Sequence, residues 1–317
     1  MSLAFVYPGQ GSQSIGMLGE LATAYPIVSE TLAEASTVLG YDLAELMAVG
    51  PSERLNATEC TQPAMLAAGV ATWRLWKQQH GRDPVMVSGH SLGEYTALVC
   101  AEALSFSAAL RLVRARGQLM QSAVPLGNGS MAAVLGLDDA ELEGACAEAA
   151  QGQVVEAVNY NSPGQIVIAG HAAAVERAVL LAKARGAKRT VMLPVSVPSH
   201  SSLMRDAAEK LREELDNIEV RMPCIRYFSA VDAKTHDEPA DIRATLVRQL
   251  ASPVRWSATV LALTAAGATT LVECGPGKVL TGLNRRIERR QEISCLALEN
   301  TVSFKAALQH CQGVEHA

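Results

Sequence analysis

Short apolar runs alternate along this sequence with longer amphipathic segments, which predicts strands and helices in turn. In the first and last parts of the chain, the predicted strands are 3–6, 85–87, 225–229 and 270–273. The predicted helices there are 25–39, 62–79, 92–103, 105–123, 206–217, 241–250, 257–266 and 277–288. Such alternation is typical of an α/β domain built on a parallel sheet.

The pattern changes after the turn signal Gly127-Asn128-Gly129. Strands are predicted at 130–135, 154–159, 165–169 and 190–193, with helices at 138–150 and 172–185. This β-α-β-β-α-β order is that of a ferredoxin-like unit. We therefore predict an α/β-hydrolase-like domain formed by residues 1–125 and 197–317, with a parallel sheet. Residues 126–196 would form an inserted ferredoxin-like subdomain.

Composition excludes several classes of function. The 317 residues are 49% hydrophobic but only 4% aromatic, which suits helices packed on a buried sheet. The net charge of -5 argues against a nucleic-acid partner. Seven scattered cysteines, with no C-x-x-C pair and no metal-ligand spacing, indicate reduced thiols and no metal site. We see no secretory signal and no membrane-spanning run, so a cytoplasmic protein without a membrane partner is expected.

Ser91 is the strongest candidate for chemistry. Gly89 and Gly93 flank it in a G-x-S-x-G pattern, between a predicted strand and a predicted helix. That context is typical of a nucleophile elbow, in which a sharp turn exposes the serine hydroxyl at the start of a helix. The backbone N–H of Leu92 would then be free to meet an oxyanion. A serine in an ordinary helix-capping turn is the simpler alternative.

A serine nucleophile needs a base, and His200 fits best among the seven histidines. It follows an apolar run with two prolines and precedes a helix, so it should lie on a loop at a strand end, as Ser91 does. A surface histidine would show the same pattern. Asp138 and Asp139 stand where a helix N-cap is expected, which leaves no evident acid to orient the base. We therefore expect a Ser–His dyad, its imidazole held by a backbone or amide oxygen.

Arg116 falls in the middle of the apolar stripe of the helix predicted at 105–123, whereas Arg111 and Arg114 fall on the opposite face. An inward guanidinium has to be paired, and its forked donors suit a carboxylate. The partner could be an anionic ligand or an internal acid, and a third possibility is a side chain that extends its charged end to solvent.

The Pro8–Gln13 loop follows the first predicted strand, near the N-terminus. Its glycine-flanked Gln10 could supply a second oxyanion donor.

These features together resemble the malonyl-CoA:acyl-carrier-protein transacylases of bacterial type II fatty-acid synthesis. The resemblance covers nearly the whole chain. It rests on eight segments in order: 8–13, 89–93, 114–121, 129–133, 159–165, 197–200, Gln249 with 252–256, and 273–278. The length and the inserted subdomain also match that family.

The resemblance implies a role for each candidate. Ser91 would be the acylated nucleophile and His200 its base. The N–H groups of Gln10 and Leu92 would form the oxyanion hole. Arg116 would bind the malonyl carboxylate. Gln249, on the inward face of its helix, would orient His200 through its backbone carbonyl.

The implied reaction moves a malonyl group from malonyl-CoA to acyl carrier protein. We expect the enzyme to act as a monomer and to need no cofactor. The carrier is expected to be acidic, and the basic runs 183–189 and 285–290 could meet it. Four alternatives stay open. They are polyketide acyltransferase, malonate decarboxylase transferase subunit, serine hydrolase or thioesterase, and a non-catalytic acyl-binding subunit.

Overall fold

The computed structural model describes residues 2–125, 127–195 and 197–312, which contain two separate sheets. The chain begins with strand β1 (Leu3–Tyr7) and then forms helices α1 (Gly19–Ala24), α2 (Pro26–Leu39), α3 (Leu43–Ala48), α4 (Ser52–Asn56) and α5 (Thr58–Gln78). Strand β2 (Met86–Gly89) leads into α6 (Gly93–Cys100) and α7 (Phe106–Ser122). The predicted strands and long helices of this part are confirmed. The short helices α1, α3 and α4 were not predicted.

The middle of the chain forms β3 (Gly129–Leu135), α8 (Asp139–Ala150), β4 (Val155–Ser162), β5 (Gln165–His171), α9 (Ala172–Ala184) and β6 (Arg189–Met192). The four strands make an antiparallel sheet in the order β4-β5-β3-β6. The predicted β-α-β-β-α-β order is therefore confirmed. The predicted domain boundaries at residues 126 and 196 stay a prediction, since Leu126 and Ser196 lie outside the described residues.

The last part begins with a 3₁₀ turn (Ser202–Met204). It continues as α10 (Arg205–Asp216), β7 (Arg226–Phe228), α11 (Pro239–Leu250), α12 (Trp256–Ala265), β8 (Thr270–Glu273), α13 (Val279–Ile287), β9 (Ser294–Ala297) and α14 (Thr301–Gln312). Strands β7, β8 and β9 join the first two in a five-stranded parallel sheet of order β7-β2-β1-β8-β9. Strand β9 and helix α14 were not predicted.

The parallel sheet is buried on both faces, which explains its nearly continuous apolar strands. Alternate residues of β1 belong to two different apolar clusters: Phe5 to one that includes α2, α5, α6 and α7, and Val6 to one that includes α12 and α13. The sheet thus lies between two helical layers. Its central strands β1 and β2 both end beside the turn that carries Ser91.

The antiparallel sheet packs α8 and α9 against one face. It is tied to the larger part by two backbone hydrogen bonds, in which Tyr160 N–H donates to the Val254 carbonyl (2.9 Å) and Val254 N–H to the Val158 carbonyl (2.8 Å). These bonds hold β4 beside the segment that precedes α12. Across the described stretches of the chain, no helix is both long and apolar enough to span a membrane.

Candidate active site

Ser91 lies in a tight turn between β2 and α6, and its φ of 51° is in the left-handed region. The two flanking glycines are required by close backbone approach. A Cβ on Gly89 would lie 1.9 Å from the Gly93 carbonyl carbon, and one on Gly93 would lie 2.0 Å from the Tyr7 carbonyl oxygen. Strain at a non-glycine residue is kept only where its surroundings enforce it, and it clusters at functional sites. The strand–turn–helix geometry is that of a nucleophile elbow.

The predicted dyad is brought together across 109 residues of sequence. Ser91 Oγ lies 2.7 Å from His200 Nε2, and His200 Nδ1 lies 2.8 Å from the backbone carbonyl oxygen of Gln249. A carbonyl can only accept, so Nδ1 carries the proton and Nε2 is left as the acceptor for the serine proton. Asp138 caps α8 by accepting a hydrogen bond from Glu141 N–H, as predicted for that residue.

Arg116 is directed inward, as its position on α7 predicts, and is 1% exposed. Its Nη1 donates to Gln62 Oε1 (2.8 Å), and its Nη2 donates to Gln249 Oε1 (3.0 Å) and Ser91 Oγ (3.2 Å). Its Nε has no partner in the described part of the chain. Nor does any acid there lie within ion-pair distance of it.

This cation therefore has neutral partners only, and the internal salt bridge left open above is excluded for the residues described. Burial lowers the pKa of the Arg116 guanidinium, and nearby Tyr95 and Glu94 oppose that shift. A buried cation without a charged partner is costly, and an anionic ligand beside Ser91 would offset that cost. Arg114 was predicted to be solvated, but it is half-buried and donates from Nη1 to the Leu39 carbonyl (2.9 Å).

The imidazole of His200 is neutral at physiological pH. It is 3% exposed, and its pKa falls to about 3, first because burial disfavours the charged ring and then because Arg116 is close. Its hydrogen bond to Gln249 works in the other direction. A neutral imidazole with a free Nε2 is the form that can accept a proton.

Gln10 and Leu92, whose backbone N–H groups were predicted as the oxyanion hole, both line the cavity that contains Ser91. Neither N–H donates to an acceptor among residues 2–125, 127–195 and 197–312, which leaves both available to an oxyanion. The loop of Gln10 is braced by Gln13, which accepts from Gly11 N–H (2.7 Å) and donates to Asn56 Oδ1 (2.8 Å).

The cavity has a volume of about 300 Å³ and is closed on one side by the smaller sheet. Ser91, His200, Arg116 and Gln62 line it together with further polar residues and several apolar ones. Met131 and Asn159 reach it from β3 and β4, and Leu193, Val195 and Val197 come from the segment before His200. This suits a short acyl group with one anionic end, joined to a longer chain that leaves through the opening.

Two residues of this site were missed by reasoning from the sequence. Gln62 accepts from Arg116 and lies on α5, where it is a buried amide in a helix whose other buried residues are mostly apolar. Glu94 follows the elbow directly and is a fully buried carboxylate, a rare environment that only the structure reveals. Within the described ranges, no group of three or more His, Cys, Asp or Glu side chains could hold a metal ion.

Comparison with known proteins agrees with this geometry. Residues 4–303 match the model of the acyl transferase domain family. The malonyl CoA-acyl carrier protein transacylase of Salmonella typhimurium is 55% identical over 305 residues, covering 96% of this chain and 98% of its own, and that of Bacillus subtilis is 44% identical over 308 residues, covering 97% and 96%.

This chain belongs to the malonyl-CoA:acyl carrier protein transacylase family. It is an acyltransferase. Solved structures of the family share its fold. The transacylase of Xanthomonas oryzae pv. oryzae superposes with a TM-score of 0.95 at 53% identity, over 98% of this chain and 99% of that one. A malonyl-transacylase bound to a type II PKS acyl-carrier protein superposes with a TM-score of 0.96 at 52% identity, over 98% and 100%. The two-part fold expected from the sequence is thereby confirmed.

Proposed function

We propose that this enzyme transfers the malonyl group of malonyl-CoA to the phosphopantetheine thiol of acyl carrier protein, through a malonyl ester on Ser91, and so supplies extender units for fatty-acid synthesis. The observation that carries the proposal is the position of Arg116. Its buried, unneutralised guanidinium lies 3.2 Å from the Ser91 hydroxyl, where it can hold the free carboxylate of the acyl group that Ser91 attacks.

In the first half-reaction, Ser91 Oγ attacks the thioester carbonyl carbon while His200 Nε2 takes the hydroxyl proton. The carbonyl π electrons move to the oxygen, and the N–H groups of Gln10 and Leu92 donate to this oxyanion. When the intermediate collapses, the C–S bond breaks and the sulfur of coenzyme A takes the proton from the imidazolium. The products are a malonyl ester on Ser91, free coenzyme A and a neutral His200.

The second half-reaction reverses these steps with a different thiol. His200 takes the proton of the phosphopantetheine thiol, whose sulfur attacks the ester carbonyl, and the proton returns to Ser91 as the C–O bond breaks. One thioester replaces another, so the chemistry is nearly balanced and requires no bound cofactor or metal. We infer an enzyme that works in the cytoplasm, in line with the reduced thiols that its scattered cysteines indicate, and we propose that it acts as a monomer.

An acidic carrier protein would meet a basic surface that two distant segments share. Arg189 of β6 and Gln165 of β5 both pair with Leu135 of β3, and Gln165 Oε1 accepts a hydrogen bond from Arg286 Nη1 (2.6 Å). The basic runs 183–189 and 285–290 therefore approach each other at this end of the smaller sheet. We propose this surface as the docking site for the carrier.

A charge-reversal experiment tests the docking site. The double substitution Lys188→Glu and Arg189→Glu should raise the KM for acyl carrier protein about tenfold while leaving the KM for malonyl-CoA within about twofold. The pair Arg212→Glu and Arg221→Glu, on exposed residues of other segments, is the matched control. Equal rises in both KM values, or a rise of the same size in the control, would contradict this assignment.

A serine hydrolase is the rival reading, but the described residues offer His200 a neutral carbonyl where hydrolases use a carboxylate. Intact-protein mass spectrometry after incubation with malonyl-CoA tests the proposal. The wild type should gain one malonyl group, lose it on adding carrier protein, and release little malonate without an acceptor thiol. Ser91→Ala should gain none. A malonyl adduct on Ser91→Ala, or hydrolysis as fast as transfer, would refute the proposed function.

A further inference from the structure

Glu94, in the first turn of α6, is a buried carboxylate that the steps above do not use. It is 0% exposed, and no cation of residues 2–125, 127–195 or 197–312 lies within ion-pair distance of it. Burying an ionisable carboxyl without a cation is costly unless hydrogen bonds satisfy it. The role of Glu94 therefore depends on the groups that form hydrogen bonds with its carboxyl.

Every group that faces the carboxylate can donate a hydrogen bond. The Tyr227 hydroxyl donates to Oε2 and Ala230 N–H donates to Oε1 (3.1 Å), while the Ser229 hydroxyl and the Gln249 side-chain amide also face it. Of these groups, the Ala230 N–H and the Gln249 NH₂ can only donate, and an ionised carboxylate is the form that can accept from all four. Burial raises the pKa of Glu94 above its usual value, and these four donors offset only part of that rise.

Among these groups, Gln249 connects Glu94 to the reacting atoms. The Ser91 carbonyl accepts both from Gln249 Nε2 (2.9 Å) and from the Glu94 backbone N–H (3.0 Å), which places the amide beside Glu94. The Oε1 of Gln249 accepts from Arg116 Nη2 (3.0 Å), and its backbone carbonyl accepts from His200 Nδ1 (2.8 Å). A side-chain amide has a donor end and an acceptor end that differ little in shape. If the amide rotated by half a turn, its NH₂ group would face the guanidinium, donor against donor.

We propose that Glu94 is a positioning residue for acyl transfer: its carboxylate fixes the donor end of the Gln249 amide toward the elbow and the acceptor end toward Arg116. The carboxylate thereby holds the malonyl-binding cation in place, and it steadies the residue whose carbonyl orients His200. This inference rests on the proposed function. In this arrangement the acidic residue acts on His200 indirectly, through Gln249, and does not contact the imidazole as the acid of a catalytic triad does.

A double-mutant cycle separates this role from that of a mere anchor between α6 and β7. Glu94→Gln keeps the shape and removes the charge, and Gln249→Ala removes the amide but keeps the backbone carbonyl. Each rate is divided by the concentration of sites that acquire malonyl in the initial burst, so that misfolded protein does not contribute to it. We expect Glu94→Gln to lower kcat/KM for malonyl-CoA about tenfold and to lower the malonyl-to-acetyl ratio at least threefold.

In the Gln249→Ala background, Glu94→Gln should lower kcat/KM by less than about twofold, because the amide it positions is gone. Losses that simply multiply, or a melting temperature that falls while the per-site rate and the acyl ratio stay unchanged, would overturn the proposal. Should Glu94→Gln fail to fold, Tyr227→Phe removes one donor from the carboxylate. It should shift the same ratio in the same direction, and only when Gln249 is present, and an unchanged ratio would overturn the proposal.

The wild type and Ser91→Ala, treated in parallel, distinguish the two levels of the argument. If the wild type forms a malonyl ester that Ser91→Ala does not, and Glu94→Gln behaves like the wild type, only the role of Glu94 fails. If the wild type forms no ester at all, the proposed function fails first.

Discussion

Replacing Arg116 by alanine should separate malonyl transfer from acetyl transfer. The substitution leaves the malonyl carboxylate in a cavity without a cation, and removing one partner of a buried charge pair costs about 3–5 kcal/mol. Because about 1.4 kcal/mol corresponds to a factor of ten, kcat/KM for malonyl-CoA should fall about a hundredfold to a few thousandfold. An acetyl group has no carboxylate to lose its partner. Removing a cation that disfavours protonation of His200 should leave acetyl transfer within about threefold, or raise it.

The assay is transfer from malonyl-CoA and from acetyl-CoA to the same carrier protein, with each kcat/KM referred to the burst of acyl-enzyme. Arg111→Ala is the matched control, since Arg111 lies on the same helix with an exposed side chain. It should leave both rates within about twofold. If Arg116→Ala lowered the two rates equally, the guanidinium would be supporting the fold of the site and not recognising the acyl group, and the substrate assignment would be wrong.

Two further predictions concern the elbow and the base. Gly93→Ala should destabilise the protein by more than about 3 kcal/mol or prevent folding, because its Cβ would lie 2.0 Å from the Tyr7 carbonyl oxygen. In contrast, a Cβ on Gly282 would have no atom within 4 Å, so Gly282→Ala should leave the free energy of unfolding in urea unchanged or raise it. Equal effects of the two substitutions would refute the packing argument. The pKa of His200, lowered to about 3, keeps the base neutral well below pH 6.5, so kcat/KM for malonyl-CoA should show no half-loss near that pH. The same shift means that, between pH 6.5 and about 3, the imidazole binds a proton in the unfolded chain but not in the native chain. The free energy of unfolding should therefore decrease as the pH is lowered from 6.5 to about 3. A midpoint at 6.5 in kcat/KM would contradict the buried environment of this ring.

The sequence predicts the fold best where burial dictates the pattern. The strand predicted at 270–273 matches β8 residue for residue, because its apolar centre, Leu271-Val272, is covered on both faces of the sheet. Strand β9 was missed because it begins with Ser294 and only Cys295 of its four residues is buried, so its apolar pattern is weak. Helix α3 was missed although Asp42 accepts from Glu45 N–H (2.8 Å), a capping signal that the sequence does contain.

The candidate site divides in a similar way. The inward position of Arg116 follows from helical periodicity alone, and Ser91 follows from its turn. The partners of Arg116 do not follow, because Gln62 and Gln249 come from α5 and α11, which reach α7 only through tertiary packing. For the same reason Glu94 gave no functional signal: its importance lies in contacts to β7 and α11, more than 130 residues away in sequence.

The neutral Gln249 carbonyl that accepts from His200 and the nearby Arg116 cation together set the pKa of the imidazole. A carboxylate that accepts from Nδ1 would raise the pKa of an imidazole whether or not substrate is present. In this site the Gln249 carbonyl raises the pKa of His200 only weakly, and Arg116 lowers it. His200 is therefore a weak base in the free enzyme. A malonyl carboxylate on Arg116 would offset that positive charge and raise the pKa of the imidazole, and an acetyl group would not. With malonyl bound in this way, the base would be stronger than with acetyl, and selection for malonyl would arise in the transfer of the Ser91 proton as well as in binding.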